Sequence, residues 1–192
     1  MIIGLTGTLG AGKDEVAEVF MKHGFSSHSC SDVIRNECKK RGIAMTLENL
    51  KNLGNKLREE NGPDILARVV IERITAGNEK NSLVVSVRNP FEVEALKKQK
   101  DFFMIAVDAP IKIRYDRVYS RGREEDNVSF EEFSRIEQQQ QKGEHKMKQQ
   151  LDNVKAMADF TIINDGTLDE LKLKVEDLID YLKEGENGSK KE

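Results

Sequence analysis

The sequence has few cysteines and no long apolar run, and each shortage excludes a class of protein. Its 192 residues include only Cys30 and Cys38 as cysteines, too few for a disulfide framework, so we expect a reduced, cytoplasmic chain. No run approaches the roughly 18 consecutive apolar residues of a membrane-spanning helix. No basic segment followed by a long apolar stretch opens the chain, so no signal peptide is expected.

Excess positive charge is also lacking. The formal net charge is −3, which provides no general field to attract nucleic acid. Any anion-binding site must therefore be a local cluster of lysine and arginine. The length suffices for one domain with a buried core. We expect a single domain over residues 1–185, followed by a polar tail at 186–192, in a monomer or homodimer without nucleic-acid or membrane partners.

Short apolar runs alternate with longer helical patterns along the chain. The apolar runs predict five β-strands, at residues 1–7, 25–30, 82–87, 102–109 and 160–164. Helical periodicity is clearest at residues 15–24, 31–42, 46–62, 63–77, 129–142 and 167–183. Strands that alternate with helices predict an α/β fold in which helices cover both faces of a parallel sheet.

Capping residues predict where some of these helices begin and end. Thr46 is expected to cap the helix that follows it, and Gly42 is expected to end the helix before it. Either Ser31 or Asp32 would cap the helix at 31–42, and Pro63 would lie near the first turn of the helix at 63–77.

Residues 4–14, G-L-T-G-T-L-G-A-G-K-D, nearly form a phosphate-binding loop between a strand and a helix. Gly7, Gly12 and Lys13 match the pattern G-x-x-x-x-G-K. Glycines let backbone N–H groups turn toward a phosphate, and the helix N-terminus adds free N–H groups and a positive dipole end. Lys13 would reach the β- and γ-phosphates of a nucleotide. The predicted nucleotide-binding residues of the loop are Gly7, Thr8, Leu9, Gly10, Ala11, Gly12, Lys13 and Asp14.

Asp14 stands where the pattern requires a serine or threonine hydroxyl, which ordinarily ligates Mg²⁺. A carboxylate is a hard anionic oxygen ligand and can hold Mg²⁺ as well. Without a metal it would repel the nucleotide, since two like charges about 4 Å apart interact by about 4 kcal/mol at an effective dielectric of about 20. We therefore expect Asp14 to ligate Mg²⁺ bound with ATP, or to turn its side chain away.

The chain from about residue 1 to 180 resembles the nucleoside monophosphate kinases, most closely the adenylate-kinase-related proteins of archaea and some bacteria. Its G-K-D also resembles phage-type deoxynucleoside monophosphate kinases and animal-type phosphomevalonate kinases. The resemblance implies a three-layer α/β/α phosphate-loop kinase fold with strand order 2-3-1-4-5. It also implies acceptor-binding helices at about 31–77 and a short helical lid at about 121–158.

Two further segments resemble the acceptor site of these kinases. C-S-D-V-I-R, residues 30–35, is similar to an adenylate kinase stretch, which implies that Asp32 and Arg35 bind the acceptor phosphate. It resembles more loosely a segment of dephospho-CoA kinases in which the aspartate acts as a base. V-V-S-V-R, residues 84–88, looks like a strand end that reads D-G-x-x-R or D-G-x-R, which implies that Arg88 also binds the acceptor phosphate.

The second segment departs from that pattern because its acid is missing. Val84 and Val85 occupy the candidate positions, and Ser86 follows. We hypothesise that the metal-binding carboxylate has moved from the strand to Asp14. Asp108, which ends the next strand, is a second candidate ligand for Mg²⁺ or a cap for the following helix.

The remaining resemblances concern the donor nucleotide and the transferred phosphate. Residues 114–137 resemble the start of the adenylate kinase lid, which implies catalytic roles for Arg117, Arg121, Arg123 and Arg135. For Arg123 and Arg135, pairing with neighbouring acids stays open as an alternative. I-I-N-D-G-T, residues 162–167, resembles a segment ending in D-G-T whose backbone contacts adenine, so Asn164 and Gly166 join the predicted nucleotide site.

These features predict an ATP-dependent phosphotransferase that uses Lys13, Arg88 and the lid arginines to move a γ-phosphate onto a small phosphorylated acceptor. The expected acceptor is a nucleoside or deoxynucleoside monophosphate, and Mg²⁺ is expected to accompany ATP. One alternative is a dephospho-CoA kinase-like enzyme that phosphorylates a ribose hydroxyl. Another is a nucleotide-binding regulatory switch with slow hydrolysis. The acceptor, and the choice between ATP and GTP, stay open.

Overall fold

A five-stranded, all-parallel β-sheet forms the centre of the computed structural model, which describes residues 1–120, 128–141 and 150–188. Its order is β2-β3-β1-β4-β5, which confirms the predicted order. The strands are β1 Ile2–Gly7, β2 Ser26–Ser29, β3 Ser82–Val85, β4 Phe102–Asp108 and β5 Phe160–Ile163. Apolar side chains dominate all but β2, as expected of parallel strands buried on both faces.

Helices cover both faces of this sheet, which confirms the predicted α/β fold. Along the described chain they are α1 Lys13–Lys22, α2 Cys30–Arg41, α3 Leu47–Asn61, α4 Ile65–Gly77, α5 Pro90–Lys97, α6 Ile111–Ser120, α7 Phe130–Gln141, α8 Leu151–Ala156 and α9 Leu168–Gly188. In the part of the chain that the structure describes, no helix is long and apolar enough to span a membrane.

The core is divided between the two faces because successive strand residues point to opposite sides of a sheet. On one face Ile3 and Leu5 of β1 pack with α1 and α9. On the other face Val84 and Met104 pack with α2, α3, α4, α5 and Val154 of α8. Both cysteines are free and lie buried in this second cluster.

Local signals predict some helix ends correctly and miss others. Thr46 caps α3, its side chain accepting a hydrogen bond from the Asn49 N–H, and Gly42 ends α2 in the left-handed conformation with φ 64°. The cap predicted for α2 is wrong: Ser29 caps this helix and accepts a hydrogen bond from the Asp32 N–H at 3.3 Å. The proline prediction is also displaced, since α4 begins at Ile65 with Asp64 as its cap and Pro63 precedes that cap.

A buried ion pair fixes the turn that follows β3. The Glu92 side chain is fully buried, and its Oε1 accepts hydrogen bonds from Arg58 Nη2 at 2.9 Å and Nε at 3.3 Å. Its Oε2 accepts the main-chain N–H groups of Arg88 at 2.9 Å and Asn89 at 3.1 Å. Asn89 in turn caps α5 in a capping box with Glu92. This carboxylate therefore holds together α3, α5 and the segment that carries Arg88.

We expect Glu92→Gln to destabilise the protein strongly, because it leaves the Arg58 guanidinium buried without its counter-charge. Breaking a buried pair in this way typically costs about 3–5 kcal/mol of unfolding free energy. Urea denaturation followed by circular dichroism measures the loss. The matched control is Glu18→Gln, since Glu18 pairs with Lys22 on the exposed side of α1 and should leave stability almost unchanged. Equal stability of the two variants would contradict this assignment.

Candidate functional site

The loop between β1 and α1 lies at the carboxyl edge of the sheet, where α/β folds place their ligands. It fits tightly between neighbouring elements, so two of its glycines cannot be replaced without displacement. A Cβ on Gly12, whose φ is 94°, would come within 2.2 Å of the Asn164 amide nitrogen. A Cβ on Gly10, whose φ is 76°, would lie 2.6 Å from the Arg114 carbonyl oxygen. The loop therefore rests directly on α6 and on the turn after β5.

Lys13 opens α1, and its side chain folds back over the loop. Its Nζ donates a hydrogen bond to the Thr8 carbonyl oxygen at 2.6 Å. Burial, together with the nearby positive charges of Arg88 and Arg114, lowers the pKa of Lys13 from 10.5 to about 8 against the opposing effect of Asp14 and Glu15. The ammonium still carries its proton at neutral pH, but in surroundings that favour the arrival of an anion.

The two candidate metal ligands, Asp14 and Asp108, differ in how many hydrogen bonds their carboxylates accept. Asp14 lies in the first turn of α1 with its side chain exposed. The Asp108 carboxylate already accepts hydrogen bonds from Ala109 N–H at 2.9 Å, Thr8 Oγ1 at 3.4 Å and Lys155 Nζ at 3.0 Å. Over the described ranges, no group of three or more His, Cys, Asp or Glu side chains could hold a metal ion. The Asp14 carboxylate is thus exposed, whereas that of Asp108 is hydrogen-bonded to three groups.

Arg88 lies in the turn after β3, the strand that pairs with β1. Burial lowers the pKa of its guanidinium, and the charges of Arg58 and Arg35 lower it further against the opposing effect of Glu92. Arg35 is about half exposed and donates a hydrogen bond to Asp32 Oδ1 at 2.7 Å. The structure therefore brings Arg35, Asp32 and Arg88 into one region of positive charge.

The turn after β3 shows which residue stands in place of the acid of the pattern D-G-x-R. Ser86 has a φ of 63°, the left-handed conformation that favours glycine. It therefore occupies the place of the glycine in the pattern D-G-x-R, which puts Val85 at the place of the acid. Thr6 ties β1 to this turn, its hydroxyl donating a hydrogen bond to the Val87 carbonyl oxygen at 2.7 Å. The strand end beside the loop is thus apolar.

A cavity of about 620 Å³ extends from the loop toward α6 and the start of α9. Arg117 lines it and donates hydrogen bonds to the Asn164 carbonyl oxygen at 3.1 Å and to Asn164 Oδ1 at 3.2 Å. Asn164 is buried, and its amide donates to the Ala11 carbonyl oxygen at 2.9 Å. Gly166 also lines the cavity, with Leu9, Val118, Leu168 and Leu171 as its apolar wall. Its volume suits a small-molecule ligand.

The predicted lid arginines fall into three situations. Arg117 lines the cavity, as described. Arg135 lies on the exposed side of α7, where its Nη2 donates a hydrogen bond to Glu132 Oε1 at 2.6 Å. Arg121 and Arg123 lie outside the described residues. Their catalytic roles stay predictions, as does the identification of residues 121–158 as a lid.

Sequence reasoning missed three charged residues near the loop. Arg114 is buried at the first turn of α6, Glu137 approaches it from α7, and Lys155 on α8 pairs with Asp108. A weak signal existed for Arg114, which precedes Arg117 by one helical turn. No local pattern marks Glu137 or Lys155, because their partners lie 23 and 47 residues away in sequence.

Comparison with known proteins places this geometry in a family. Residues 3–150 match the family model described as AAA domain. The UPF0200 protein of Thermococcus gammatolerans is 33 % identical over 192 residues, which cover 97 % of this chain and 98 % of the relative.

Solved structures at lower identity share the fold. Shikimate kinase from Acinetobacter baumannii aligns with a TM-score of 0.55 at 20 % identity, over 93 % of this chain and 92 % of that one. Dephospho-CoA kinase from Campylobacter jejuni aligns with a TM-score of 0.52 at 15 % identity, over 94 % of this chain and 96 % of that one. These likenesses show a phosphate-loop kinase-like fold, while the family model and the full-length relative show that the chain belongs to the AAA-domain family, among the proteins named UPF0200.

Proposed function

We propose that this protein is an ATP-dependent kinase that transfers the γ-phosphoryl group to a small phosphorylated acceptor, a nucleoside or deoxynucleoside monophosphate. The observation that carries the proposal is that the phosphate loop and the Arg88 turn lie side by side: Leu5 pairs with Val85, and the Thr6 hydroxyl donates a hydrogen bond to the Val87 carbonyl oxygen at 2.7 Å. Lys13 belongs to the loop that would hold the donor phosphates, and the charge of Arg88 contributes to lowering its pKa. Arg35, whose charge lowers the pKa of Arg88, extends the cationic region on the side of the acceptor helices. Two phosphorylated ligands can thus meet between Lys13 and Arg88.

Each part of the site has a role in this reaction. Residues 7–14 hold the donor phosphates, and the cavity beside Arg117, Asn164 and Gly166 takes the base and ribose. Arg88 and Arg35 hold the acceptor phosphate, with Asp32 fixing the direction of Arg35. An acceptor oxygen attacks the γ-phosphorus, the bond to the β–γ bridging oxygen breaks, and ADP leaves with those bonding electrons. Arginine side chains would stabilise the charge that spreads over the transferred group. The arginines for which we predict this role are Arg117, Arg121, Arg123 and Arg135.

Mg²⁺ fits this site in one respect, since the exposed Asp14 carboxylate offers a hard oxygen beside the expected phosphates. When bound with ATP, the ion would supply neutralising charge to the β- and γ-phosphates. Because the strand end at Val85 is apolar, Asp14 is the protein ligand that we assign to the ion.

A phosphate acceptor is favoured over a ribose hydroxyl by the state of Asp32. A hydroxyl acceptor needs a general base, whereas an acceptor phosphate is already anionic. Asp32 is engaged by Arg35 at 2.7 Å, an arrangement suited to positioning the arginine. This contact supports the monophosphate acceptor over the dephospho-CoA kinase-like alternative.

Coupled measurement of ADP release with Mg²⁺ tests the proposal against a panel of acceptors: the ribo- and deoxynucleoside monophosphates, dephospho-CoA and phosphomevalonate. We expect release that depends on one nucleoside monophosphate. Lys13→Met should abolish it, while Lys22→Met, an exposed lysine at the other end of α1, should not. Activity with dephospho-CoA alone would replace the proposed acceptor. ATP binding with only acceptor-independent hydrolysis would indicate a regulatory switch instead.

The assignment of Asp14 predicts different results for two substitutions. Asp14→Ala should lose Mg²⁺-dependent activity because no ligand oxygen remains, while Asp14→Asn should keep part of it because the amide oxygen can still ligate the metal. Titration of activity with Mg²⁺ measures the difference, with Glu18→Gln on the same helix as the control. Equal activity of the Ala and Asn variants would refute a metal-binding role for Asp14.

A further inference from the structure

Arg114 is a buried guanidinium that contacts three separate parts of the protein. Its Nε donates a hydrogen bond to the Ala109 carbonyl oxygen at 2.7 Å, and its Nη1 donates to the Leu9 carbonyl oxygen of the phosphate loop at 3.5 Å. Both Nη atoms also bond the Glu137 carboxylate of α7, Nη2 to Oε2 at 3.0 Å and Nη1 to Oε1. This two-point geometry fixes the direction of both side chains.

The loop also rests on the main chain of Arg114. Only a glycine fits at position 10, because a Cβ there would meet the Arg114 carbonyl oxygen at 2.6 Å and Val118 Cγ2 at 2.9 Å. A shift of the first turns of α6 would therefore displace the phosphate loop directly. Arg114 thus contacts the loop through both its backbone and its side chain.

Helix α7 is joined to α6 along one face. Phe133 is buried against Tyr115, with ring centroids 5.6 Å apart, and Phe130 meets the same ring at 5.4 Å. Glu137 follows Phe133 by four residues, so it lies on the same face one turn further along. Arg135 and Glu132 pair with each other on the exposed side of this helix. The contact of Glu137 with Arg114 is therefore the charged part of an otherwise aromatic interface between α6 and α7.

Two carboxylates face the Arg114 guanidinium. Glu137 pairs with it at bidentate hydrogen-bond distance, and Asp108 Oδ1 lies 3.9 Å from its Nε. Glu137 is therefore the acid that fixes the direction of the guanidinium, while Asp108 adds a second negative charge beside it.

We propose that Arg114 and Glu137 act together as a positioning pair that holds the phosphate loop in a fixed relation to helix α7, and that phosphoryl transfer requires this relation. The proposal rests on the proposed kinase function. Neither residue is assigned a contact with the substrate. Their effect is exerted through the Leu9 carbonyl and the contact of Gly10 with the Arg114 main chain.

The first test compares Glu137→Gln with Glu131→Gln, which removes an exposed acid from the first turn of the same helix and leaves the Glu132–Arg135 pair intact. A loop displaced by a fraction of an ångström impairs in-line transfer more than it impairs binding. We expect Glu137→Gln to lower kcat about tenfold or more. Its KM for ATP should stay within about threefold of wild type. Glu131→Gln should match wild type in both constants.

A second readout separates positioning from mere stabilisation of the fold. ATP binding by Glu137→Gln, measured by calorimetry, should stay within about threefold of wild type, while single-turnover transfer falls about tenfold or more. A parallel loss of ATP binding and of transfer would overturn the proposal.

The double variant Arg114→Met with Glu137→Met guards against a folding defect, since apolar replacement of a whole buried pair is often tolerated. We expect it to retain the wild-type thermal midpoint but the low kcat of Glu137→Gln. Recovery of wild-type kcat would show that the pair only balances charge, and would overturn the proposal. A wild-type chain that binds no ATP would refute the proposed function itself. An active wild type with an equally active Glu137→Gln would refute this inference alone.

Discussion

The crowding of positive charge around Lys13 is the constraint on which the rest of this site depends. The lysine donates a hydrogen bond to the Thr8 carbonyl oxygen at 2.6 Å, and burial with the charges of Arg88 and Arg114 lowers its pKa against the opposing effect of Asp14 and Glu15. Such an arrangement is unfavourable unless an anion is bound, because like charges repel and burial removes their hydration. An incoming phosphate relieves both effects. The repulsion among these positive charges therefore favours the binding of an anion at the loop.

Three acids, each from a different element, pair with cations around the same edge of the sheet. Glu92 of α5 holds Arg58 and the backbone of the Arg88 turn, Glu137 of α7 holds Arg114, and Asp108 of β4 pairs with Lys155 and lies 3.9 Å from Arg114 Nε. Each pair also joins two elements that are distant in sequence. The same contacts therefore balance charge and position the helices around the carboxyl edge of the sheet. Loss of one contact should affect both.

The sheet order and the phosphate loop could be predicted from the sequence because their signals are local or carried by a resemblance. The loop glycines, the strand before them and the helix after them are contiguous, and Thr46 and Gly42 mark helix ends by their own chemistry. The pairs Arg58–Glu92, Arg114–Glu137 and Asp108–Lys155 could not be predicted, because nothing in the intervening residues fixes which charges meet. Helix α8 was missed because six residues, with only Leu151 and Val154 buried, give too little periodicity. The cap of α2 was misplaced because S-C-S-D offers three suitable side chains within four positions.

If Lys13 is the centre of a site prepared for a nucleoside triphosphate, direct titration of its ammonium should show this most directly. Nuclear magnetic resonance of protein labelled at lysine Nζ and Cε, with Lys13→Arg to assign the signal, would follow this one group with pH. The account predicts a pKa of about 8 in the free protein, well below the ordinary 10.5. It also predicts a rise when Mg²⁺ and an unreactive ATP analogue are added, because bound phosphates favour the charged form. A pKa near 10.5 in the free protein, unchanged by the nucleotide, would contradict the account.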